Sequence, residues 1–263
     1  MDITSTNLNI GNNTHESSFS QIAKGSKTNS AADSPANIPI IENINKQISS
    51  NIATHRNVID GISALQVAQG GITQITDNLQ QLRELAIQAG NAILNPQDRQ
   101  AIQSQANELL QNITGSISNS NFNNKSLLNI NTAQTLQTGA NNDSQQKFPG
   151  YDLATLLENQ DLFAIDFTVN QVTATLNSID RSLNITEKIQ SGFAINQQSL
   201  EVNATALLHS NTIQNQSRSQ IADTDDATAL STLTGEQFSE KVEISMLSQA
   251  STDREQVLQL LKS

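Results

Sequence analysis

Residues 72–93, ITQITDNLQQLRELAIQAGNAI, decide how the rest of the chain is interpreted. Their apolar side chains recur at alternating steps of three and four residues, which places them on one stripe of an α-helix. The stripe consists of Ile72, Ile75, Leu79, Leu82, Leu85, Ala86, Ala89 and Ile93. A mean step of about 3.5 residues favours left-handed wrapping around a partner helix, and such a helix is only marginally stable alone. The stripe therefore predicts that other helices cover it.

The same stripe extends toward the N-terminus. Its upstream members are Ile48, Ile52, Val58, Ile59, Ile62, Leu65 and Ala68. Pro35 and Pro39 disfavour continuous helix before about residue 40. We therefore expect one long first helix from about residue 40 to residues 90–94.

A second helix is predicted after Asn95-Pro96. Asparagine is a preferred N-cap, proline suits the first helical position, and Asp98 is favourable in the first turn. One face of this helix carries Ile102, Ala106, Leu109, Leu110, Ile113 and Ile117. Because the connection is short, the second helix should run antiparallel to the first.

The middle of the chain changes character. In SNSNFNNKSLLN (118–129), the pair Asn123-Asn124 between apolar residues predicts a turn joining short strands. Residues 129–164 contain turn residues and short β-like pieces, and the run Phe148-Pro149-Gly150-Tyr151 breaks regular structure. We expect a small β-hairpin region here.

A third long helix is expected from about Asp161, with a period and length that match the first. Its stripe holds Ile165, Val169, Val172, Leu176, Ile179, Leu183, Phe193, Leu200, Ala204 and Leu207. It is the natural cover for the first helix. The predicted fold is mainly α: an elongated bundle of long antiparallel, coiled-coil-like helices from both chain ends.

The C-terminal segment carries an apolar pattern without an obvious partner inside one molecule. After a joint at Asp223–Asp226 come Leu230, Leu233, Val242, Met246, Leu247, Val257, Leu258, Leu260 and Leu261. Burying each such side chain contributes about 1.5–3 kcal/mol, so a few can drive a repeated contact. A heterologous contact that does not close builds a helical filament. We therefore predict another copy of the chain as the partner.

Composition excludes several classes of protein. Apolar residues make up 36% and aromatic residues 3%, too few for a wide globular core but enough for narrow seams between helices. A net charge of −11 argues against nucleic acid and against an anionic membrane surface as partners. No apolar run reaches about 18 residues, and the N-terminus lacks the pattern of a secretory signal peptide. Without cysteine, disulfides and thiolate metal sites are excluded.

Candidate catalytic groups do not form a recognisable pattern. His15, His55 and His209 lie far apart, and none has a second ligand at metal spacing. The acidic run at 223–226 lacks the glycine and the distant glutamate of a calcium loop, which favours a hinge or helix cap. Glu84 and Glu108 belong to solvated helix faces. We predict no enzyme activity, no cofactor and no metal.

Several motifs in one order resemble bacterial flagellins. They are NSAAD (29–33), LQQLRELAIQAGN (79–91), FNNKSLL (122–128), LQTGAN (136–141) and SQIADTDDAT (219–228). The motif residues taken forward are Arg83, Glu84, Asn123, Asp223 and Asp226. The resemblance covers roughly residues 25–141 and 166–262 and identifies the chain as a member of the flagellin family.

The resemblance implies a domain plan. Residues 41–128 and 165–225 would form a helical rod, packed through Ile72, Ile75, Leu79, Leu82, Leu85, Ile102, Leu109, Ile113, Leu176, Ile179 and Leu183. Residues 1–40 and 226–263 would be disordered in the monomer and form an inner coiled coil in the filament. Residues 129–164 would be a short β and turn insert in place of variable outer domains.

The resemblance also implies partners and location. The expected function is a structural subunit that polymerises into the flagellar filament for motility, outside the cell after type III export. An export chaperone, the filament cap and hook-associated proteins would be further partners, and the assembly and chaperone segment would use Leu230, Leu233, Val242, Met246, Leu258 and Leu261. A hook–filament junction protein or a low-copy flagellin-like paralogue is the alternative, and a coiled-coil adaptor is a third.

Recognition by the animal toll-like receptor for flagellin is expected to be weak. In the family this receptor uses an arginine, a leucine and a glutamate. Leu85 keeps the leucine, but Gln81 and Asn112 occupy the other two positions. Neither offers the charge or the planar donor fork of the residue that it replaces.

Overall fold

The structure is a computed structural model that describes residues 19–27, 35–139, 141, 143–168 and 172–262. Helices hold 76% of the described residues, which confirms the mainly α fold. The main elements are α1 (Asn37–Ala89), α2 (Pro96–Asn119), β1 (Asn121–Phe122), β2 (Lys125–Ser126), β3 (Gln134–Gln137), β4 (Gln145–Phe148), α3 (Leu153–Glu158), a 3₁₀ turn (Leu162–Ala164), α4 (Val172–Ala222) and α5 (Asp226–Lys262). Residues 19–24 are also helical.

Helix α1 begins just after Pro35 and keeps Pro39 in its first turn. Proline is tolerated there because the first N–H groups of a helix have no intrahelical acceptor. The helix ends at Ala89, earlier than the apolar stripe suggests. Ile93, expected to continue the stripe, lies in the following loop and is 90% exposed.

Helix α2 begins where the sequence predicts. The Asn95 side chain accepts from the Asp98 N–H at 2.8 Å, and the Asp98 carboxylate accepts from the Asn95 N–H at 3.2 Å. This reciprocal capping box satisfies two donors that the helix itself leaves free. Pro96 occupies the first turn, as expected.

Two antiparallel hairpins follow, which confirms a small β region in mid-chain. Strands β1 and β2 are joined by Asn123 and Asn124, with φ values of +49° and +59°. Two successive positive φ values match the hairpin turn that asparagine adopts more readily than most residues. Strands β3 and β4 pair in register from Gln134 opposite Phe148 to Gln137 opposite Gln145.

The segment after the hairpins contains structure that the sequence analysis did not predict. Helix α3 is capped by Asp152, whose carboxylate accepts from the Thr155 N–H at 3.1 Å. Leu153 and Leu157 on this helix and Leu162 in the 3₁₀ turn are fully buried. This segment therefore supplies core residues in addition to β-strands and turns.

The prediction that the third long helix begins near Asp161 is wrong. Asp161 has φ +58°, which interrupts a right-handed helix, and the described part of α4 begins at Val172. Ile165 and Phe167 are buried in non-helical backbone. The Gln103 amide holds that backbone: Gln103 Oε1 accepts from the Phe167 N–H at 2.6 Å and Nε2 donates to the Ile165 carbonyl at 3.2 Å. Val169 lies outside the described residues.

Helices α2 and α4 both run antiparallel to α1. Along α4, contacts to α1 pair Asn51 with Ser210, Thr73 with Gln190 and Arg83 with Asp180. Arg99 of α2 donates to the Ala89 carbonyl, whereas Ser120, the residue that follows α2, lies against Gly71. In both pairs of helices, the contact partner on α2 or α4 moves toward its C-terminus as the residue on α1 moves toward its N-terminus. This confirms the predicted antiparallel arrangement.

The chain divides into two compact units. The central unit is Ser49–Asn211, and the terminal unit comprises Met1–Ile48 and Thr212–Ser263. Both divisions fall inside long helices, α1 and α4. Among the described residues, the large side chains that are fully buried belong to the central unit: Ile72, Ile75, Leu79, Leu82, Ile113, Leu128, Leu153, Leu157, Leu162, Phe167, Ile179 and Leu200.

Candidate functional site: packed seams and exposed helix faces

The central unit brings the predicted packing residues into one apolar core. The six that are fully buried are Ile72, Ile75, Leu79, Leu82, Ile113 and Ile179. The five that are half-buried against the same core are Leu85, Ile102, Leu109, Leu176 and Leu183. The seam between the helices therefore has a fully buried centre, to which α1 contributes four of these six residues. The half-buried residues lie along the sides of the seam.

On α4 the centre of the seam is partly made of hydroxyl side chains. Ser178, Ser182 and Thr186 are at least nine-tenths buried, and Leu176 and Leu183 lie to their sides. Ser182 donates to the Ser178 carbonyl at 2.8 Å, and Thr186 to the Leu183 carbonyl at 2.8 Å. Because the Ser182 and Thr186 hydroxyls are satisfied within their own helix, their burial costs little. Hydroxyl residues at such positions give no apolar signal in the sequence.

At its upstream end the α1 seam does not follow the predicted stripe. Ile52 and Ile59 are 42% and 43% exposed, whereas Asn51 and Thr54 are buried. Asn51 Nδ2 donates to Ser210 Oγ at 3.4 Å. The buried positions on α1 follow steps of three and four residues from Leu82 back to Val58. Continued further, the same steps arrive at Thr54 and Asn51 and leave Ile52 outside the seam.

Gly61 occupies a seam position where an added side chain would displace the ends of two leucine side chains. A Cβ at Gly61 would lie 2.5 Å from Leu136 Cδ2 and 3.1 Å from Leu200 Cδ1. The missing side chain lets the β3–β4 hairpin pack directly on α1. Gln146 of the same hairpin contacts α4 through Ser199 and Asn203 at 3.4 and 3.3 Å.

The motif residues from the sequence analysis fall at different places. Arg83 Nε contacts Asp180 Oδ1 at 2.8 Å and links α1 with α4, with both side chains 45% exposed. Glu84 is exposed on α1. Asn123 forms the β1–β2 turn. Asp223 lies at the break between α4 and α5, and the side chain of Asp226 is outside the described residues.

In the terminal unit, residues 25–27 pair with the segment after α4. The Lys27 N–H donates to the Ala222 carbonyl at 2.7 Å, and the Thr224 N–H to the Gly25 carbonyl at 3.2 Å. Gly25 has φ +62°, a conformation that glycine adopts without strain. These bonds tie an N-terminal segment to the α4–α5 break.

Helix α5 presents large apolar side chains to solvent. Leu230, Val242 and Met246 are 58%, 40% and 69% exposed, and Leu233 is half-buried. Phe238 is also 68% exposed. Leu258 and Leu261 belong to the same helix, but their side chains lie outside the described residues. A helix with such residues exposed has apolar surface available for a partner.

Two exposed carboxyl groups have shifted titration. The Thr228 backbone N–H and side chain, followed by the Ala227 N–H, hold the pKa of the Asp225 carboxyl below its usual value. Thr168 does the same to the pKa of Asp166 through its side chain and its backbone N–H. Both are short-range turn or cap interactions on the protein surface.

Metal sites and membrane-spanning helices each have recognisable structural features. Within the described ranges, no three His, Cys, Asp or Glu side chains come together in a group that could hold a metal ion. Over those same ranges, no helix is long and apolar enough to cross a membrane.

At the expected receptor surface, Gln81 and Asn112 are exposed and Leu85 is half-buried.

The sequence is similar to known flagellins, in agreement with the family that the motifs indicated. The family model of the bacterial flagellin N-terminal helical region matches residues 2–146. A flagellin of Halalkalibacterium halodurans is 28% identical, covering 97% of this chain and 95% of its own length. The flagellar filament 30.7 kDa core protein of Treponema maltophilum is 26% identical, covering 97% of this chain and 94% of its own length.

Two solved structures share the fold. A Bacillus cereus flagellin gives a TM-score of 0.53 at 19% identity, covering 58% of this chain and 88% of its own. A putative flagellar hook-associated protein of Vibrio parahaemolyticus gives 0.64 at 14% identity, covering 73% of this chain and 100% of its own. At these identities the likeness concerns the fold alone.

The packed seams and exposed helix faces define a helical structural protein. The family match covers more than half of the chain, and the chain belongs to the bacterial flagellin family. Flagellins are structural and non-enzymatic, which confirms the prediction that this chain is not an enzyme.

Proposed function

We propose that the chain is a structural subunit that polymerises with copies of itself into the bacterial flagellar filament. The exposed apolar face of α5 carries the proposal, because Leu230, Val242 and Met246 are 40–69% exposed in the single chain. Relatives that align over more than nine-tenths of the chain are flagellins and filament core proteins, which disfavours the hook–filament junction alternative.

The finer parts of the proposal concern the route to the filament. Residues 226–263 would be held by an export chaperone until type III export delivers the chain to the growing tip outside the cell. The filament cap and hook-associated proteins would be neighbours at the two ends of the filament. The exposed apolar side chains of α5 support this route, because such a surface needs protection before assembly. Disorder of the terminal segments in the free monomer stays a prediction.

The test is removal of residues 230–263. The central unit keeps its buried core in this variant, so we expect retained helicity and cooperative unfolding but no filaments. Circular dichroism reports the first two properties, and negative-stain electron microscopy of salted-out, seeded protein reports the third. A full-length variant with Leu230, Val242 and Met246 replaced by Asp should lose polymerisation in the same way.

A matched variant separates apolar contact from added charge. Ser231, Thr234 and Ser239 are exposed polar residues on the same helix, and their replacement by Asp adds the same charge. We expect this control to polymerise much better than the apolar replacement. Filaments from the truncated chain, or equal loss in both triple variants, would contradict the proposed role of the α5 apolar face.

The same proposal makes the receptor expectation testable. Gln81 and Asn112 are exposed but uncharged, so we expect this chain to activate the animal flagellin receptor weakly. Replacing Gln81 by Arg and Asn112 by Glu should raise the response of reporter cells. A response of the unaltered chain equal to that of a typical enteric flagellin would refute the expectation.

A further inference from the structure

Helices α4 and α5 are separated by a break of three non-helical residues, 223–225. The sequence across this break, SQIADTDDATA (219–229), contains neither glycine nor proline. These two residues are the strongest helix breakers, because glycine is conformationally free and proline lacks the backbone N–H. The covalent backbone therefore permits α4 to continue into α5, and other contacts hold the break.

An N-terminal clip, defined as residues 25–27, is hydrogen-bonded to the break. The Lys27 N–H donates to the Ala222 carbonyl at 2.7 Å, and the Thr224 N–H donates to the Gly25 carbonyl at 3.2 Å. The two residues between these bonds pair as an isolated antiparallel bridge. The clip thus binds the break through backbone groups on both of its sides.

The clip takes the two backbone groups that a continuous helix would use. In an α-helix each N–H donates to the carbonyl four residues earlier. The Thr224 N–H would then donate to the Gln220 carbonyl, and the Ala222 carbonyl would accept from the Asp226 N–H. Because the single Thr224 N–H cannot make both of its bonds, the clip and the continuous helix exclude each other.

The break also leaves one hydroxyl without a partner. Thr224 Oγ1 is buried and makes no hydrogen bond within the part of the chain that the structure describes. Threonine hydroxyls elsewhere in this chain donate to the carbonyl four residues earlier, as Thr73 does to Gln69 at 2.9 Å. A continuous helix would offer Thr224 the Gln220 carbonyl in the same way. Because an unpaired buried hydroxyl costs free energy, straightening the break would remove that cost.

Helix α5 has a local cap that also supports the break. Asp225 Oδ1 accepts from the Ala227 N–H at 3.1 Å and from the Thr228 N–H at 3.2 Å. In a continuous helix the carbonyls of Asp223 and Thr224 would accept these two bonds, so the loss of the cap is compensated. Without the clip, the broken chain would leave both backbone groups that the clip holds without a protein partner. The break therefore depends on the clip more than on the cap.

We propose that residues 25–27 act as a conformational clip. While the clip is bound, α4 and α5 are separate helices; when it is withdrawn, residues 223–225 become helical and join them. The device has two discrete arrangements, and a partner that captures the clip selects the continuous helix. The inference goes beyond the proposed function, because the device acts within a single chain.

The first experiment removes one clip bond from the full-length protein without seeds. Lys27→Pro deletes the N–H that donates to Ala222. Lys27→Ala is the matched control, because the Lys27 side chain is exposed and this variant keeps the N–H. In Lys27→Pro, nuclear magnetic resonance should show the Cα shifts of residues 223–225 moving to helical values. Amide exchange at Asp225 should slow about tenfold or more, through a new bond to the Ile221 carbonyl.

The second experiment loosens the clip in a different way. Gly25 has φ +62°, and a Cβ there meets nothing within 4 Å, so Gly25→Val strains the clip backbone without a collision. The Cα shifts of residues 223–225 should move in the same direction as in Lys27→Pro. Ala23→Val is the control, because Ala23 is exposed in the preceding helix. Unchanged amide shifts around Leu79 show in each variant that the central unit is folded.

The outcomes test the clip itself. Helical shifts at residues 223–225 in Lys27→Pro and Gly25→Val, with both controls unchanged, support it. Non-helical shifts in both variants, with the central unit folded, would overturn the clip and assign the break to the Asp225 cap. The same change in Lys27→Ala would also overturn it, because that variant keeps both backbone bonds. No filament is formed in these measurements, so failure of the proposed function would leave their result unchanged.

Discussion

The central unit and helix α5 carry the same kind of apolar helical pattern, but only the first is covered within one chain. Leu79 and Leu82 of α1 are fully buried by the packing around them. Leu230 and Met246 of α5 are 58% and 69% exposed. A helical stripe therefore specifies which face needs a partner, and the rest of the fold determines whether that partner is internal.

The covered seam is also the more varied of the two surfaces. Its core includes Gly61, the hydroxyls of Ser182 and Thr186, and apolar residues from α3. Such a mixture is possible because Ser182 and Thr186 donate to carbonyls of their own helix, and Leu136 of the β3–β4 hairpin fills the space beside Gly61. The exposed face of α5 displays large apolar groups such as Phe238 and Met246, which suit contact with further chains.

The largest effect should come from charging the seam. Leu79→Asp would bury a carboxylate among fully buried apolar side chains, and we expect unfolding of the central unit or a loss of several kcal/mol. Urea unfolding followed by circular dichroism measures the free energy of unfolding. Met246→Asp on α5 is the control and should leave that free energy almost unchanged. Equal effects at the two positions would remove the distinction between the regions.

A smaller effect is expected where glycine permits close packing. Gly61→Ala would place a methyl group 2.5 Å from Leu136 Cδ2, so the end of the half-buried Leu136 side chain must shift, and we expect a cost of about 1 kcal/mol, at the low end for overpacking. Gly115→Ala on α2 meets open space, so it should stabilise the helix by up to about 1 kcal/mol. Thermal and urea unfolding of both variants give the comparison. Leu136→Ala should partly rescue Gly61→Ala, and absence of rescue would place the strain elsewhere.

The ion pair between Arg83 and Asp180 should contribute still less. Both side chains are 45% exposed, and exposed pairs are usually worth about 0.2–1 kcal/mol. A double-mutant cycle with Arg83→Ala and Asp180→Ala measures the coupling free energy, which should decrease as salt is added. A coupling well above this range would show that the pair, rather than the apolar seam, fixes α4 against α1.

The smallest effect concerns the start of α5. Hydrogen bonds from Thr228 and Ala227 lower the pKa of Asp225 in the folded chain. The stabilisation is therefore present above the unfolded pKa and is lost as the pH falls through the lower folded value. Nuclear magnetic resonance of the Thr228 amide during acid titration should report this loss. In Asp225→Asn the same titration step should be absent, and its persistence would assign it to another carboxyl group.

The local signals in the sequence predicted individual elements well. The Asn95-Pro96 start of α2 and the Asn123-Asn124 turn are confirmed because both depend on backbone preferences of adjacent residues. The predicted start of the third helix failed at Asp161. There a left-handed residue and the hydrogen bonds with Gln103, more than 60 positions earlier, hold Ile165 and Phe167 in non-helical backbone.

The sequence by itself determined that the chain is a set of long amphipathic helices, because the three-four spacing fixes a helical face locally. Its motifs also placed it among the flagellins. Only the tertiary structure decided that Asn51 and Thr54 are buried while Ile52 is exposed, and that Gly61 receives Leu136. The physical reason is that burial depends on partners such as Ser210 and Leu200, which lie far away in sequence and reach α1 only when the helices pack.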